Sequence, residues 1–461
     1  MAFKNTTVYL DSLKMNLPQP PMSKFRVLKN LFVVCIGFLF LFSAYLGLAN
    51  LQSTLNIEDN IGMISQSVIY AAMIISCLFL PKLIIRKYGL KTTLVLSALM
   101  FIPYIAVNFY PIMPLFIPAS VILGLAFPAL WSAKCTYLNE ISELYANHIS
   151  ETTEVVTPRF FGIFFMTYQS TQIFGNLVSF YVLKPSEGNE VVAMSNYNES
   201  ITCGVDFCFE INDNLVAPSD DKRYILISIY LMCAAMAALI MGLFLDSYER
   251  KTVDEAESLS SRVLATLKHL KNPKQMLLLP LSIFSGLDQG FFLGDFTRAY
   301  IGCAWGIHHV GLVFVFLGIV DAFISFTAGR LAKYVPRVII MMTAGLGSLT
   351  AYIILLLWEP NSEQYIVFFL IAGIWGLGDG IWQTMVNAFY GVLFRSDEEA
   401  AFANYRLWEA AGFTIAFAYS SALCIGPKIY IVLASLTVGV IGYLTVEVLL
   451  LFERRRSLEN A

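Results

Sequence analysis

The feature that most constrains this chain is a succession of apolar segments, each about as long as a membrane-spanning helix. Such a helix needs roughly 20 mostly apolar residues to cross the hydrocarbon core. Roughly twelve segments of that length can be read along the 461 residues. They lie near 31–50, 61–81, 92–110, 113–138, 160–183, 224–245, 276–299, 307–329, 337–358, 364–394, 400–424 and 427–451. The sequence therefore predicts an all-α polytopic membrane protein with about twelve transmembrane helices.

Composition and charge exclude several classes of function. Charged residues make up only 14% of the chain and apolar residues 57%, whereas soluble proteins carry about 25% charged residues. The net charge of −3 gives no basic excess, so we expect the lipid bilayer and no nucleic acid as a partner. Of the four histidines, the adjacent pair His308 and His309 has no Cys or carboxylate at metal-ligand spacing, and nucleotide-binding and nucleophile motifs are absent. We therefore expect no enzymatic activity, no cofactor and no metal.

The distribution of Lys and Arg predicts the orientation, because these residues concentrate in cytoplasmic loops. The short loops 51–60, 110–113 and 359–364 contain neither residue. Of the 30 Lys and Arg residues, 20 lie in the N-terminal segment, in alternate loops and in the tail: Lys4, Lys14, Lys24, Arg26, Lys29, Arg86, Lys87, Lys91, Arg250, Lys251, Arg262, Lys268, Lys271, Lys274, Arg330, Lys333, Arg337, Arg454, Arg455 and Arg456. Both termini are thus predicted to be cytoplasmic, in the plasma membrane or alternatively an endomembrane. Residues 31–50 follow a polar stretch and are too long for the apolar region of a signal peptide, so they read as a retained span.

The longest predicted cytoplasmic loop divides the spans six and six, which predicts two bundles related by an axis along the membrane normal. The predicted parts are a tail 1–26, a bundle 27–245 with an outside loop 184–222, a linker 246–275, a bundle 276–452 and a tail 453–461. Basic runs follow the second span of each bundle, at 86–91 and 329–337.

These two runs resemble the loop signature of the major facilitator superfamily, Gly-x-Leu-Ala-Asp-Arg-x-Gly-Arg-Lys. The matching positions are Lys87, Gly89 and Lys91 in the first run, and Gly329, Leu331, Ala332 and Arg337 in the second. The resemblance implies the major facilitator fold. The signature's Asp, part of a gating charge network in transporters of that superfamily, is replaced by Arg86 and Lys333. This departure argues against ordinary transporter gating.

Longer runs are similar to one family, the Unc-ninety-three-like family, and within it to the homolog A branch. The runs are 129–138, 161–165, 375–384, 390–394 and 399–410. The resemblance extends from about residue 27 to about residue 450 and covers every predicted span. It implies an accessory or regulatory subunit of a potassium channel complex, since the nematode founder acts in a two-pore-domain potassium channel complex. A solute or proton-coupled transporter with a polar central cavity is the alternative. A trafficking chaperone for membrane receptors is a third interpretation, because a vertebrate relative escorts Toll-like receptors.

Polar side chains inside the spans are the candidate functional residues, because ionisable groups are costly in a membrane. Asp379, Gln383 and Asn387 recur at i, i+4 and i+8 on one stripe of span ten. With Gln169 and Asn176 of span five they are predicted to line a central cavity holding an ion or a substrate of unknown identity. The alternative interpretation is a hydrogen-bonded seam between helices.

Other intramembrane features favour structural roles. Arg406 and Glu409, three residues apart, are predicted to form a structural charge pair. Lys134 is expected to extend its ammonium to the membrane surface. Gly286, Gly290 and Gly294 form overlapping Gly-x-x-x-Gly steps that favour close packing within the bundle, with docking of a partner helix as the alternative.

The outside loop carries an N-glycosylation acceptor at Asn198 and two cysteines, Cys203 and Cys208. An exoplasmic location favours disulfide formation. A bond between Cys203 and Cys208 is predicted, with Cys303 of the next outside loop as a competing partner.

The predicted orientation can be tested by glycosylation. Acceptor sequences begin at Asn5 and Asn198, and only the second lies on the predicted outer side. We expect Asn198→Gln to abolish the glycosidase-sensitive shift on a gel and Asn5→Gln to leave it unchanged. A glycan on Asn5 would contradict the orientation.

Overall fold

The computed structural model describes residues 22–151, 153–184, 203–208, 218–247, 268–331, 334–394 and 398–459, and all regular structure in these ranges is helical. Both acceptor asparagines, Asn5 and Asn198, and most of the predicted linker lie outside the described residues. The helices are α1 (Lys24–Ala49), α2 (Ile61–Leu99), α3 (Phe101–Ala106), α4 (Met113–Ile149), α5 (Thr153–Leu183), α6 (Asp220–Phe244), α7 (Pro273–Phe291), α8 (His308–Leu331), α9 (Arg337–Leu357), α10 (Tyr365–Leu393), α11 (Glu398–Ala418) and α12 (Ile425–Glu459). A π-helix, Phe292–Gly302, continues α7.

The described helices account for the predicted number of membrane passes. Nine helical stretches are long and apolar enough to cross a membrane, and Ile61–Cys77 is a shorter apolar helix. With α5 and α11, which also pack inside the bundle, they complete the twelve predicted spans. Two passes meet within α2, at Gly89, whose φ of 76° interrupts the helix, and the second pass continues through α3. Glycine adopts this left-handed conformation without steric cost.

The two halves of the bundle repeat the same packing pattern. In the first half, α1 packs against α5 and α6, and α2 packs against α4. Six helices later, α7 packs against α11 and α12, and α8 packs against α10. The halves meet at two contacts, between α5 and α8 and between α2 and α11, which together we call the seam. A shift of six helices also relates these two contacts to each other. The predicted two six-helix pseudo-repeats and major facilitator fold are confirmed.

Glycines allow the closest crossings at equivalent places in the two halves. On α5, a Cβ added at Gly175 would overlap the backbone of Ser43 on α1, next to Gly47. On α11, a Cβ added at Gly412 would overlap the backbone carbonyl of Ile283 on α7, next to Gly286. Because lipid tails are as apolar as Leu, such close van der Waals packing is a main source of helix association in membranes.

The same glycines rule out the predicted partner-docking face on α7. The missing Cβ positions of Gly286 and Gly290 are occupied by α11, through the Glu409 carbonyl and the Ala416 methyl group. The side chain of Met63 fills the space beside Gly294. The docking interpretation is therefore wrong, because helices of this chain already cover the glycine face.

The ends of the described chain lie at one end of the bundle, which we call the linker end. There Asp246, just after α6, accepts bonds from Arg26, Lys29 and Asn30 of α1 at 3.0–3.2 Å. Burial alone would raise the pKa of the Asp246 carboxyl, but these three partners lower it to about 2. The group is therefore ionised at neutral pH, and its bonds hold the end of α6 to the start of α1. In the second half, Lys274 on the first turn of α7 pairs with Glu453 of α12 at 2.7 Å.

The glycine crossing can be tested with a matched pair of substitutions. We expect Gly412→Ala to lower thermal stability, by about 1–3 kcal/mol, because its methyl group would meet the backbone of α7. Gly162→Ala is the control, since a Cβ at Gly162 meets no atom within 4 Å. Thermal unfolding in detergent measures both, and equal stabilities would contradict the assigned crossing.

Candidate functional site

A buried carboxylate bridges the two halves at the α5–α8 seam. Gln169 Nε2 on α5 donates to Asp321 Oδ2 on α8 at 2.8 Å. The other oxygen, Oδ1, accepts from Ser325 Oγ one turn later on α8, at 3.2 Å. Only 5% of Asp321 is exposed, so both oxygens are satisfied by protein donors from opposite sides of the seam. Of the predicted site residues, Gln169 does lie at the interface of the halves, and its partner is Asp321.

The glycines of α10 leave room for Asp321. A Cβ at Gly380 would lie 2.9 Å from Asp321 Oδ1, tighter than an ordinary contact. Ser325 Oγ also contacts the Gly380 carbonyl at 3.3 Å, which fixes α8 against α10. Because glycine adds no side chain here, the carboxyl group fits between the two helices.

The predicted polar stripe of span ten is divided by the structure. Asp379 is partly buried, contacts Gln383 and lies within electrostatic range of Asp288, Asp321 and Glu409. Asn387 Nδ2 instead donates to the backbone carbonyl of Gln383 at 2.6 Å. Asp379 and Gln383 thus belong to the polar centre, whereas the Asn387 amide is used by its own helix. We call Asp288, Asp321, Asp379 and Glu409 the carboxylate cluster.

Asp288 has two donors from other helices. Tyr352 Oη donates to Oδ1 at 2.6 Å, and Trp375 Nε1 donates to Oδ2 at 3.0 Å. The residue is 2% exposed, so this carboxyl group joins α7 to α9 and α10 in the interior of the second half. Its role in the cluster is structural.

The structure contains the Arg406–Glu409 pair, with Arg406 Nη1 and Glu409 Oε2 2.5 Å apart. Ser285 Oγ and Tyr405 Oη also donate to Glu409 Oε1, each at 3.1 Å. The Glu409 side chain is 6% exposed, but 45% of the Arg406 side chain is exposed. Glu409 is therefore anchored against α7, while the guanidinium of Arg406 faces open space.

Lys134 of α4 is enclosed and does not reach the surface, so the expectation that it extends there is wrong. It is 0% exposed, and its ammonium lies 4.2–5.5 Å from four aromatic ring centroids. The rings are Trp131, Phe161, Phe164 and Phe165. Among the described residues, no carboxylate lies within 4.0 Å of its ammonium nitrogen. Cation–π attraction to several rings stabilises a desolvated ammonium there. The closely spaced phenylalanines at 160–165 are the sequence signal for this cage.

Tyr168 lies between the lysine cage and the carboxylate cluster. Its ring centroid is 5.1 Å from that of Trp131, and it is within electrostatic range of Asp321, Asp379 and Arg406. The polar centre thus has a basic, aromatic wall from the first half and a largely acidic wall from the second.

Asn176 is not part of this centre, so its prediction as a cavity residue is wrong. Its Oδ1 accepts from Asn50 Nδ2 at 2.9 Å, and its own amide donates to the Gln172 carbonyl at 2.6 Å. The residue is 0% exposed. Its amide group joins α5 to the end of α1 inside the first half, which satisfies the buried side chain.

The cysteine pairing also differs from the prediction. Cys203 bonds to Cys303, which follows the π-helix, and Cys208 bonds to Cys424, which precedes α12. The Cα–Cα distances are 5.8 and 4.5 Å, within the range of disulfides. The predicted Cys203–Cys208 bond is wrong, because Cys203 lies beside the end of the π-helix and Cys208 lies beside the start of α12. We call the end of the bundle that carries these two disulfides the disulfide end.

No metal site accompanies these features. Within the described ranges, no group of three or more His, Cys, Asp or Glu residues is arranged to hold a metal ion.

Comparisons with known proteins cover both halves of the bundle. A family model described as "Ion channel regulatory protein UNC-93" matches residues 53–445. "Protein unc-93 homolog A" of Xenopus laevis is 40% identical over 443 residues, covering 94% of this chain and 95% of that protein. The Caenorhabditis elegans protein named "Putative potassium channel regulatory protein unc-93" is 34% identical, covering 92% of this chain and 61% of that protein. Among solved structures, a D-xylose–proton symporter superposes with a TM-score of 0.62 at 12% identity, covering 91% of this chain and 97% of that one.

The disulfide pairing can be checked directly by mass spectrometry of a non-reduced digest. We expect peptides joined through Cys203–Cys303 and Cys208–Cys424, because these pairs are adjacent in the fold. A peptide with Cys203 bonded to Cys208, or all four cysteines recovered as free thiols, would contradict the pairing.

Proposed function

The chain belongs to the UNC-93 family, and on that premise we propose that it is a non-enzymatic regulatory subunit of a potassium channel complex. The likeness to the C. elegans protein with that name extends over 92% of this chain. It therefore includes both halves of the bundle and the seam between them. Helices of this chain already cover the glycine face of α7. The partner would therefore bind elsewhere on the bundle, laterally in the bilayer.

We further propose that the carboxylate cluster makes this regulation sensitive to a proton or another cation. The observation that carries this step is the hydrogen bond between Gln169 and Asp321, which joins the halves at 2.8 Å. A cation bound at Asp321 or Asp379 would change the charge that faces this bond. Because a ligand shifts a conformational equilibrium only through its different affinity for the two states, a site on the seam is well placed to do so.

The orientation belongs to the same proposal. The asymmetry of Lys and Arg places the linker end in the cytoplasm and the disulfide end outside, at the plasma membrane. The two disulfides support this orientation, since disulfides persist in oxidising compartments.

Cation-coupled transport of a small solute is the second candidate function. The observation that favours it is the position of Asp379, which is partly buried at the centre of a major facilitator fold beside Asp321. In transporters, substrate and coupling-ion sites lie near the bilayer midplane, between the repeats. The missing Asp of the loop signature, replaced by Arg86 and Lys333, disfavours this candidate.

The role of Asp321 can be tested by removing its charge. We expect Asp321→Asn to leave surface abundance near normal, since Asn is nearly isosteric and can still bond to Gln169 and Ser325. The effect of this variant on the current of a co-expressed potassium channel should no longer depend on pH. Asp221→Asn is the control, because it removes an exposed carboxylate at the start of α6, which is not one of the helices that join the halves. An unchanged pH dependence in Asp321→Asn would contradict the sensing role.

A second substitution separates the two candidate functions. In a transporter, Asp379→Asn should abolish solute uptake by proteoliposomes or its pH dependence. In a regulatory subunit, purified protein should show no uptake, and a channel subunit should co-purify with it stoichiometrically. Asp379→Leu serves as the packing control, because it removes both the charge and the contact with Gln383 and leaves an apolar side chain of similar size. Uptake without a channel partner would select transport.

A further inference from the structure

The six residues from Cys203 to Cys208 form a cap on the second half, which we call the plug. Both of its ends are covalently fixed, to Cys303 and to Cys424. The Phe207 carbonyl accepts from the Ile425 backbone amide at 3.2 Å, and Phe207 is 4% exposed. Gly204, with a φ of 86°, lies so close to Pro360 that an added Cβ would be 2.7 Å from the ring.

The plug covers a buried ion pair. Lys428 Nζ on α12 lies 2.7 Å from Asp295 Oδ1 on the π-helix, and the two side chains are 3% and 4% exposed. Beside the pair is a cavity of about 10 Å³, lined by Phe207, Asp295, Arg298, Ala299, Ser420, Leu423, Ile425 and Lys428. This volume holds at most one water molecule. Phe207 thus closes the pocket and keeps bulk water from the ion pair.

Arg298 links the plug to the opposite half. Its guanidinium carbon lies 5.7 Å from the centroid of the Phe207 ring, and its Nη1 donates to Asn60 Oδ1 of the first half at 2.6 Å. Asn60 has a left-handed backbone, with a φ of 52°, which Asn tolerates better than most residues. One residue before Arg298, the Thr297 hydroxyl bonds to Ser53 of the first half at 2.7 Å. The plug therefore bears on the arginine that joins the two halves.

Contacts across the seam extend from this end to the carboxylate cluster. Ser67 Oγ, on the second turn of α2, donates to the Thr414 carbonyl at 3.2 Å. Gly311, on the first turn of α8, packs against the Asn176 backbone of α5. Beyond Gln169 and Asp321, towards the linker end, Arg406 has 45% of its side chain exposed. The two halves are thus hydrogen-bonded to each other at the disulfide end, whereas towards the linker end the Arg406 side chain is partly exposed.

We propose that the plug makes the disulfide end a fixed closure, so that the two halves separate only at the linker end. Separation at the disulfide end would break the bonds of Arg298 and Thr297 to the first half. The plug cannot move away from Arg298, because disulfides hold it on both sides. The linker end carries no equivalent covalent restraint among the described residues. This inference concerns the motion of the bundle and holds for a channel regulator as for a transporter.

Pulsed electron paramagnetic resonance can measure the motion at each end in nanodiscs. Spin labels at Ile112→Cys and Asn361→Cys report the disulfide end, and labels at Lys87→Cys and Tyr334→Cys report the linker end. All four positions are exposed, and the four free cysteines (Cys35, Cys77, Cys135 and Cys233) are replaced by alanine. We expect a single distance at the disulfide end and two distances at the linker end. Two distances at the disulfide end of the protein with an unaltered plug, or a single distance at the linker end, would overturn the proposal.

The same labels test whether the plug causes the closure. With all four disulfide cysteines replaced by serine, a second, longer distance should appear at the disulfide end. Phe207→Ala, which keeps both disulfides and removes only the ring on Arg298, should have the same effect and guards against misfolding of the first variant. Val205→Ala is the matched control within the plug and should retain the single distance. A single distance in both the serine variant and Phe207→Ala would overturn the assignment to the plug.

Discussion

The structure depends on one property of its solvent: a bilayer core offers no hydrogen bonds to the chain. Every backbone group must then be satisfied within a helix, and helices associate through close packing more than through the hydrophobic effect. The crossings of Gly175 over α1 and of Gly412 over α7 meet this requirement, at equivalent points of the two halves. Because the chain repeats the solution, the halves have the same internal packing and meet along two equivalent helix pairs.

The same constraint applies to polar side chains and explains their unequal distribution. Asp288, Asp321 and Glu409 each have donors from more than one helix, so these buried carboxyl groups are hydrogen-bonded within the protein. In the first half, Lys134 is held by aromatic rings, which attract its ammonium through their π faces. The seam therefore separates two walls of different chemistry. In the function proposed above, a proton or another cation bound at the acidic wall would change the difference in charge between the two walls.

The two ends of the bundle are held by different kinds of interaction. At the linker end, Asp246 and its basic partners join helices within the first half, and Lys274–Glu453 does so within the second. At the disulfide end, Arg298 and Thr297 bond across the halves, and the plug lies over Arg298. Restraints within a half leave relative motion of the halves free, whereas restraints across them oppose it. A fixed closure at one end is the mechanical consequence that we propose.

The sequence alone determined the helical fold, the number of spans, the six-plus-six division and the family, because these follow from the length and spacing of apolar segments and from long local motifs. It also identified Gln169, Asp379, Gln383 and the Arg406–Glu409 pair, since buried polar residues at helical spacing are conspicuous in a membrane protein. Which partner each side chain meets was decided only by tertiary structure. Asn176 bonds to Asn50 of α1, and Gly286 receives α11, because helix rotation selects the facing residue and local spacing does not. Cys208 pairs with Cys424, 216 residues away, because the fold brings the start of α12 to the plug. Proximity along the chain favoured Cys203, but a disulfide forms only where the folded backbone brings two Cα atoms within bonding range.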